Sequence, residues 1–271
     1  MSTSSNANLK SLLDRLWGDY RSTNPQVGRI HELLAKRGES VVNDHIALRT
    51  YGDPRVGLDV LARPFLAGGY RAGEDYTFKE KKLAARHFEH DDPSLPRVFI
   101  SALDLSAFSD GLRSIVAGII EQVDAATLAR DDLPVIGRPW SLSTHDYQAL
   151  ASESEYAAWV AAFGFRANHF TILVNALKHF ETLEQLNSFI KDSGFKLNSS
   201  GGEIKGSAQV FLEQSSTLAD QVQVDFSNGK LTIPCCYYEF ARRHPLPDGK
   251  LFGGFVAKSA DKIFESTDRL S

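Results

Sequence analysis

The stretch that decides the fold is VVNDHIALRT at residues 41–50, which has the pattern of one β-strand. Side chains alternate between the two faces of a strand, so His45, Ala47 and Arg49 share a face. The opposite face, which begins with Asp44, is largely apolar and can pack under helices. At about 3.3 Å per residue, the Cα atoms of His45 and Arg49 lie about 13 Å apart. An imidazole and a guanidinium on one line suit the binding of a metal-bound anion.

A second stretch, FRANHFTILV at residues 165–174, repeats this pattern. It also begins with polar residues that include a histidine, and it continues into an apolar strand. Aligning the two stretches places His45 and His169 124 positions apart. The spacing predicts a duplicated module, in which each copy opens with a histidine-bearing strand.

Composition limits the classes of protein that the chain can represent. Its 271 residues are 42% hydrophobic, which is enough for a sizeable core. It has 30 Lys plus Arg against 34 Asp plus Glu, a net charge of −4 and a pI near 6.1. This balance gives no electrostatic reason to expect binding to nucleic acid or to an anionic membrane.

The cysteines and the first residues predict a cytoplasmic protein. The two cysteines, Cys235 and Cys236, are adjacent, and neighbours in sequence rarely form a disulfide with each other. The polar N-terminal residues contain no apolar segment of a signal peptide. No apolar run reaches the ~18 residues needed to span a membrane.

The predicted fold class is α+β, with two β-α-β-β-β modules that form a curved mixed sheet around a metal cleft. We expect a single catalytic domain over residues 1–271, with a disordered stretch at residues 1–7. Its predicted parts are N-terminal helices at 8–40, a first module at 41–104, a helical connector at 105–164, a second module at 165–241 and an irregular tail at 242–271, with a short helix near Ala260.

Hydrophobic spacing and turn residues predict the finer elements. In the connector, residues 130–147 have the composition of a turn-rich segment, and a single helix is expected at 152–163. In the second module, we expect a helix at 176–193 and strands at 209–214, 221–226 and 233–240.

Glu239 is the one carboxylate in an otherwise apolar and aromatic stretch, PCCYYEF at residues 234–240. Burying a charge there is costly unless a partner compensates it, and a metal ion would do so. Together with His45 and His169, it would form the two-histidine, one-carboxylate set associated with non-haem Fe(II). Mn²⁺ or Zn²⁺ could use the same ligands, so the residues alone leave the metal open.

A competing cluster is His87-Phe88-Glu89-His90. Alternation along a strand separates His90 from His87 and Glu89, and the segment continues into a charged turn. We interpret this cluster as a solvated strand end. Lys81 and Lys82 are interpreted as a solvated turn, although a lysine near the cleft could help to hold an acidic substrate.

Four separated strings resemble the 2-oxoadipate dioxygenase/decarboxylase family, also called 2-hydroxyglutarate synthase, which has a vicinal-oxygen-chelate-like fold. The strings are NDHIALRT (43–50), KKLAARHFEHDDPSLPRVFISAL (81–103), FLEQSSTLAD (211–220) and CYYEFARRHP (236–245). The resemblance covers nearly the whole chain after residue 7. It implies that His45, His169 and Glu239 are the metal ligands and that Arg49 binds substrate.

The resemblance also implies a reaction, in which 2-oxoadipate and O₂ give 2-hydroxyglutarate and CO₂ during lysine breakdown. A guanidinium such as that of Arg49 offers two parallel N–H groups to a carboxylate. Two other readings remain open: a glyoxalase-like metal lyase or isomerase that does not use O₂, and a binding protein of the same fold that retains a small molecule without turnover. The sequence leaves the oligomeric state undetermined.

Overall fold

The fold is described from a computed structural model, which covers residues 2–257, 262–263 and 265. Its helices are Ser2–Thr23 (α1), Pro25–Lys36 (α2), Leu58–Ala67 (α3), Asp110–Ile120 (α4), Ala125–Leu128 (α5), Thr144–Glu153 (α6), Glu155–Phe163 (α7) and Leu183–Asp192 (α8). Its strands are Asn43–Tyr51 (β1), Arg71–Phe78 (β2), Leu83–Glu89 (β3), Arg97–Leu103 (β4), Ala167–Leu173 (β5), Lys205–Ser207 (β6), Leu212–Ser216 (β7), Gln221–Phe226 (β8), Gly229–Pro234 (β9) and Glu239–Arg243 (β10).

Eight strands form one mixed sheet in the order β2-β3-β4-β1-β5-β10-β7-β6. β1 and β5 are antiparallel at the centre, β1 is parallel to β4, and β5 is parallel to β10. In the half of the sheet that contains β1, the strands β2, β3 and β4 pair antiparallel, and in the half that contains β5, the strands β10, β7 and β6 do the same. Each half therefore has the same arrangement, which confirms the predicted α+β fold with two related modules.

The two faces of the sheet differ in chemistry because the register keeps like residues together. Ile46, Phe170 and Phe240 lie on the outer face and are essentially unexposed. Phe170 packs edge-on against Trp17 of α1 at 5.0 Å between ring centroids. On the inner face, His45 pairs with Thr171, and the same Thr171 pairs with Glu239 on the other side. The inner face therefore carries the polar residues of the central strands.

The second module departs from the prediction at its last strand. β9 ends at Pro234 and β10 begins at Glu239, so a continuous strand over 233–240 was wrong. Between them, the backbone N–H of Cys235 donates to the Asp220 carbonyl, and that of Tyr238 donates to the Thr217 hydroxyl. These bonds to Asp220 and Thr217 take the place of the regular hydrogen bonds of a continuous strand. β8 and β9 form a separate two-stranded sheet. The strand predicted at 209–214 was wrong in its first part, because Ala208–Val210 forms a 3₁₀ turn and β7 begins at Leu212.

Capping residues explain why three helix boundaries differ from the predicted ones. Ser143 caps α6, which begins at Thr144, so residues 144–147 at the end of the segment expected to be turn-rich are helical. Ser154 ends α6 and caps α7, so the single helix over 152–163 was also wrong. Thr182 and Gln185 form a capping box, which starts α8 at Leu183 and not near residue 176.

The ends of the chain also differ from the prediction. α1 begins at Ser2, so residues 2–7 are helical where disorder was expected. The tail is irregular from residue 244 to 256, as predicted, but β10 extends to Arg243. The helix expected near Ala260 lies outside the described residues. A search of the described helices found none long and apolar enough to cross a membrane.

Candidate metal centre

The three predicted ligands come together on the inner face of the sheet. One ligand atom from each of His45, His169 and Glu239 lies within 4.8 Å of the others, and all three residues are buried. His45 Nε2 is 3.6 Å from Glu239 Oε1, and His169 Nε2 is 3.2 Å from Glu239 Oε2. The cause is the strand order, because β1, β5 and β10 are neighbours and their inward positions are in register.

Asp44 holds His45 in one orientation. We expected Asp44 on the apolar face, but the β1–β5 register shifts between Asn43 and His45, and the Asp44 carboxylate lies 2.8 Å from His45 Nδ1. Arg243 donates two hydrogen bonds to Asp44, at 2.6 and 2.8 Å. Burial alone would raise the pKa of Asp44, but Arg243 and then His45 hold it well below its usual range. An ionised Asp44 accepts the Nδ1 proton, which leaves a lone pair on His45 Nε2.

His169 has a similar arrangement with a neutral partner. Its Nδ1 lies 3.0 Å from the side-chain oxygen of Asn168, which accepts the Nδ1 proton and leaves a lone pair on Nε2. The ring of Tyr237 stacks on the imidazole at 4.6 Å. Burial lowers the pKa of His169 to about 4, although Glu239 acts in the opposite direction. The imidazole is therefore neutral at physiological pH, as a metal ligand must be.

Glu239 completes a set of three electron-pair donors. Burial raises the pKa of this carboxyl, but His169 and His45 outweigh that effect and lower it. Gln214 donates a hydrogen bond to Glu239 Oε1 at 2.6 Å, and the Thr171 hydroxyl donates to His45 Nε2 at 3.0 Å. The lone pair of His169 Nε2 lies 3.2 Å from the Glu239 carboxylate, and the two repel each other unless a cation lies between them. The donor set therefore fits a divalent ion of the Fe²⁺, Mn²⁺ or Zn²⁺ type.

Arg49 lies further along β1 on the same inner face and is 2% exposed. Its guanidinium carbon is 5.1 Å from the centroid of the Tyr156 ring and 5.4 Å from that of Trp159. Burial raises the pKa of Tyr237, and Arg49 has the largest opposing effect on it, so the two groups interact. Arg49 also lines a cavity of about 250 Å³ that Lys81 and Lys82 help to form. A guanidinium in this position can bind an anion near the metal ligands.

The segment at residues 252–255 covers the three predicted ligands. Phe255 packs edge-on against the His45 ring at 4.9 Å. Arg243 Nη1 donates to the carbonyls of Phe252 and Gly254, at 2.8 Å each. Arg243 therefore joins the carboxylate behind His45 to the segment that shields the site from water.

The competing cluster has a different role from the predicted one. His87 is only 3% exposed, so its interpretation as part of a solvated strand end was wrong. Its Nδ1 lies 2.9 Å from the hydroxyl of Tyr76, and its Nε2 lies 3.5 Å from Glu89. Within the described part of the chain, the convergent metal-binding group is the one formed by His45, His169 and Glu239.

Five residues around the centre were missed as site residues at the sequence level: Asp44, Asn168, Gln214, Tyr237 and Arg243. Asp44 and Asn168 each directly precede a proposed ligand histidine, so this shared polar neighbour was a usable signal. Gln214 and Arg243 reach the site through strand pairing, so no pattern in the neighbouring sequence marks them as site residues.

Comparisons with known proteins identify the family to which the chain belongs. The profile of the 2-oxoadipate dioxygenase/decarboxylase family matches residues 12–131 and 138–252. The chloroplastic 2-oxoadipate dioxygenase/decarboxylase of Arabidopsis thaliana is 35% identical over 285 residues, which cover 95% of this chain and 77% of that protein.

Solved structures give the same result. The hydroxyglutarate synthase of Oryza sativa, solved in complex with 2-oxoadipate, matches with a TM-score of 0.92 and 33% identity, covering 99% of this chain and 94% of that one. A Shewanella frigidimarina protein described as a "putative hydrolase" has a TM-score of 0.87 and 51% identity, covering 92% of this chain and 97% of that one. The chain belongs to the 2-oxoadipate dioxygenase/decarboxylase family of enzymes.

Proposed function

We propose that the protein is an Fe(II)-dependent dioxygenase that converts a 2-oxo diacid, 2-oxoadipate, to 2-hydroxyglutarate and CO₂ in lysine breakdown. The observation that carries the proposal is the buried triad of His45, His169 and Glu239 with Arg49 on the same face of the sheet. The reaction balances without a second organic substrate: C₆H₈O₅ and O₂ give C₅H₈O₅ and CO₂.

The triad would hold the metal and leave positions for ligands from outside the chain. Fe(II) bound there would supply the electron transfer that O₂ activation needs and would bind the 2-oxo acid group. Asp44 and Asn168 keep the two imidazoles oriented through their Nδ1 atoms, and Gln214 orients the carboxylate of Glu239.

Arg49 would bind the far carboxylate of the diacid. Its planar group can donate two parallel hydrogen bonds to that carboxylate, and its position on β1 sets it apart from the triad along the strand. Tyr237 and Phe255 lie against the two histidines and exclude water from the centre. An enclosed site also protects a reactive intermediate from side reactions.

The substrate carries its own 2-oxo acid group, which can both bind the metal and supply the electrons of decarboxylation. A separate 2-oxoglutarate cosubstrate would compete for the same metal positions. We therefore expect O₂ consumption without any added cosubstrate. The proposal also places the protein in the cytoplasm, which its two buried free thiols support.

The test is to load the protein with Fe(II) under anaerobic conditions, add O₂, and measure O₂ uptake and CO₂ release against a panel of 2-oxo acids. We expect equal amounts of the two gases with 2-oxoadipate and less turnover with shorter diacids. Zn²⁺ should not replace Fe(II). Equal turnover under strict anaerobiosis would exclude the oxygenase and favour the metal-lyase reaction.

A further inference from the structure

Helix α7 belongs to the connector between the two modules, yet it supplies the immediate surroundings of Arg49. Two of its aromatic rings, Tyr156 and Trp159, lie within 6 Å of the guanidinium carbon, which is the range of a cation–π interaction. Both rings are buried. Every residue of α7 from Tyr156 to Phe163 is buried as well, so the helix is a fixed part of the core and not a surface element.

The ring of Tyr156 is held in place by its hydroxyl. This group donates to the backbone carbonyl of Ser101 at 2.7 Å and accepts from the backbone N–H of Thr50 at 3.2 Å. Ser101 lies on β4, directly opposite Arg49 in the sheet register. The tyrosine is thus attached to β1, the strand that carries the arginine, and to the neighbouring strand β4. Burial raises its pKa to about 12, so the hydroxyl stays neutral and keeps its proton for this bond.

The ring of Trp159 is held from the other side. Its indole N–H donates to the carbonyl of Cys235 at 2.5 Å, in the segment between β9 and β10. That segment leads into Glu239, the carboxylate of the triad. Through this bond, the aromatic partner of Arg49 is attached to the same stretch of backbone that places a proposed metal ligand.

A fixed guanidinium matters because the arginine side chain is long and lies beside open space. The cavity of about 250 Å³ reaches Arg49, and its wall carries Glu80, Glu153 and Glu155 as well as Lys81 and Lys82. Loss of the two rings would open a path for the guanidinium into this cavity, towards those carboxylates. The distance between the arginine and the triad would then vary.

We propose that Tyr156 and Trp159 are positioning residues, which hold the Arg49 guanidinium at a set distance from the metal ligands and so make the enzyme select a diacid over a monoacid of equal length. This inference rests on the proposed function, because it assumes that Arg49 binds the far carboxylate. It assigns the selection of substrate to the connector, outside either β-α-β-β-β module.

The test compares anaerobic binding of 2-oxoadipate and 2-oxohexanoate to the Fe(II)-loaded protein by calorimetry. The two ligands have the same number of carbons and the same 2-oxo acid group, and only the first has a far carboxylate. We expect Tyr156→Leu and Trp159→Leu to weaken binding of the diacid roughly 3- to 30-fold, as loss of a cation–π contact implies, and to leave binding of the monoacid unchanged. Metal content should not change.

Trp140→Leu is the matched control. Trp140 is a buried connector tryptophan whose N–H also donates to a backbone carbonyl, that of Ala161 at 2.8 Å, but its ring packs on Phe165. This variant should keep the preference for the diacid. If a leucine variant does not fold, Trp159→Phe and Trp140→Phe form the second pair, in which only the first should lose selectivity.

The outcomes separate this inference from the proposed function. The positioning role is overturned if folded Tyr156 and Trp159 variants still prefer the diacid. It is also overturned if the wild type shows no such preference. If the wild type prefers the diacid, the variants lose that preference and no O₂ uptake occurs, the oxygenase reaction is overturned and the positioning role is supported. In turnover, the variants should raise KM for 2-oxoadipate far more than they lower kcat.

Discussion

Asp44 accepts a hydrogen bond at 2.8 Å from Nδ1 of His45, the residue that follows it on the same strand. Successive side chains on a strand normally point to opposite faces, so this contact requires the register shift between Asn43 and His45. The irregularity in β1 thus gives the imidazole a charged acceptor and directs its other nitrogen towards Glu239.

Replacement of Asp44 by Asn should weaken metal binding. The neutral amide is a poorer acceptor for the Nδ1 proton, and loss of such a partner typically costs 10- to 100-fold in metal affinity. The change also leaves Arg243 buried beside a neutral group, which should destabilise the fold by about 3–5 kcal/mol. Competition with a chelator measures the affinity, and thermal unfolding measures the stability. Asp53→Asn, which removes a carboxylate that is 18% exposed and pairs with Arg55, is the control. Unchanged affinity in Asp44→Asn would contradict the role of Asp44.

Glu239→Gln should abolish metal-induced stabilisation. A ligand that binds only the folded state raises the unfolding temperature, and the amide cannot replace the charged ligand. We expect Fe(II) or Mn²⁺ to raise the melting temperature of the wild type and to leave that of the variant unchanged. His45→Ala and His169→Ala should behave in the same way, with the fold largely intact.

Glu213→Gln is the control for this experiment, because Glu213 lies on β7 and pairs with His244 at 3.0 Å, away from the triad. It should retain the metal response. A full response in Glu239→Gln would remove this residue from the set of ligands.

Arg49→Lys should lower the affinity for the diacid without loss of metal. Lysine keeps the positive charge but not the planar pair of donors, so one of two charged hydrogen bonds is lost. We expect KM for 2-oxoadipate to rise on the order of 10- to 100-fold. Metal content and KM for 2-oxohexanoate should stay the same. Normal kinetics with the diacid would place Arg49 outside the substrate site.

The fold should lose stability in mild acid because of His31. Burial, and then the charge of Arg21, lower its pKa from 6.5 to about 4, and its ring nitrogen contacts the Tyr238 hydroxyl at 2.8 Å. Between about pH 6.5 and pH 4, the unfolded chain binds a proton at this site that the folded chain does not bind. Stability from this residue is therefore present above pH 6.5 and is lost as the pH falls through that window.

His31→Gln should remove this loss of folding stability, because glutamine does not bind a proton in this pH range. Relative to the wild type, it should gain on the order of 1 kcal/mol between pH 7 and pH 5, a figure reduced for partial exposure of the ring. Denaturant unfolding at the two pH values measures the difference. His145→Gln, whose side chain is 87% exposed, should show no such gain. Equal pH dependence in the wild type and His31→Gln would refute the prediction.

The sequence identified site residues that lie in a recognisable local pattern, but it did not identify those that reach the site through contacts between distant strands. His45, His169 and Arg49 lie in strands with clear alternation, so their shared face could be derived from the spacing. Glu239 was identified from its isolation among apolar residues, although the strand assumed for it breaks after Pro234. The reason for the break is hydrogen bonding to Thr217 and Asp220, which are distant in sequence, and alternation does not encode such contacts.

Arg243 shows why other parts of the site were missed. It lies 199 positions from Asp44, and their contact exists because the two strand ends meet on the inner face of the folded sheet. No spacing rule connects residues so far apart. The boundary between α6 and α7 is different, because Ser154 before Glu155 is a capping signal that the sequence already contains.

The symmetry of the sheet bears on the number of ligands at the proposed metal centre. In the central pairing, His45 matches His169 by symmetry, so Ala47 matches Thr171. The neighbour of Thr171 on its parallel partner is Glu239, and the neighbour of Ala47 is Phe99. Phe99 therefore occupies the position that mirrors the carboxylate, and it has no lone pair to offer. An ion at the proposed centre would therefore have three ligands from the chain and not four, and its remaining coordination positions would be open to molecules from outside the protein.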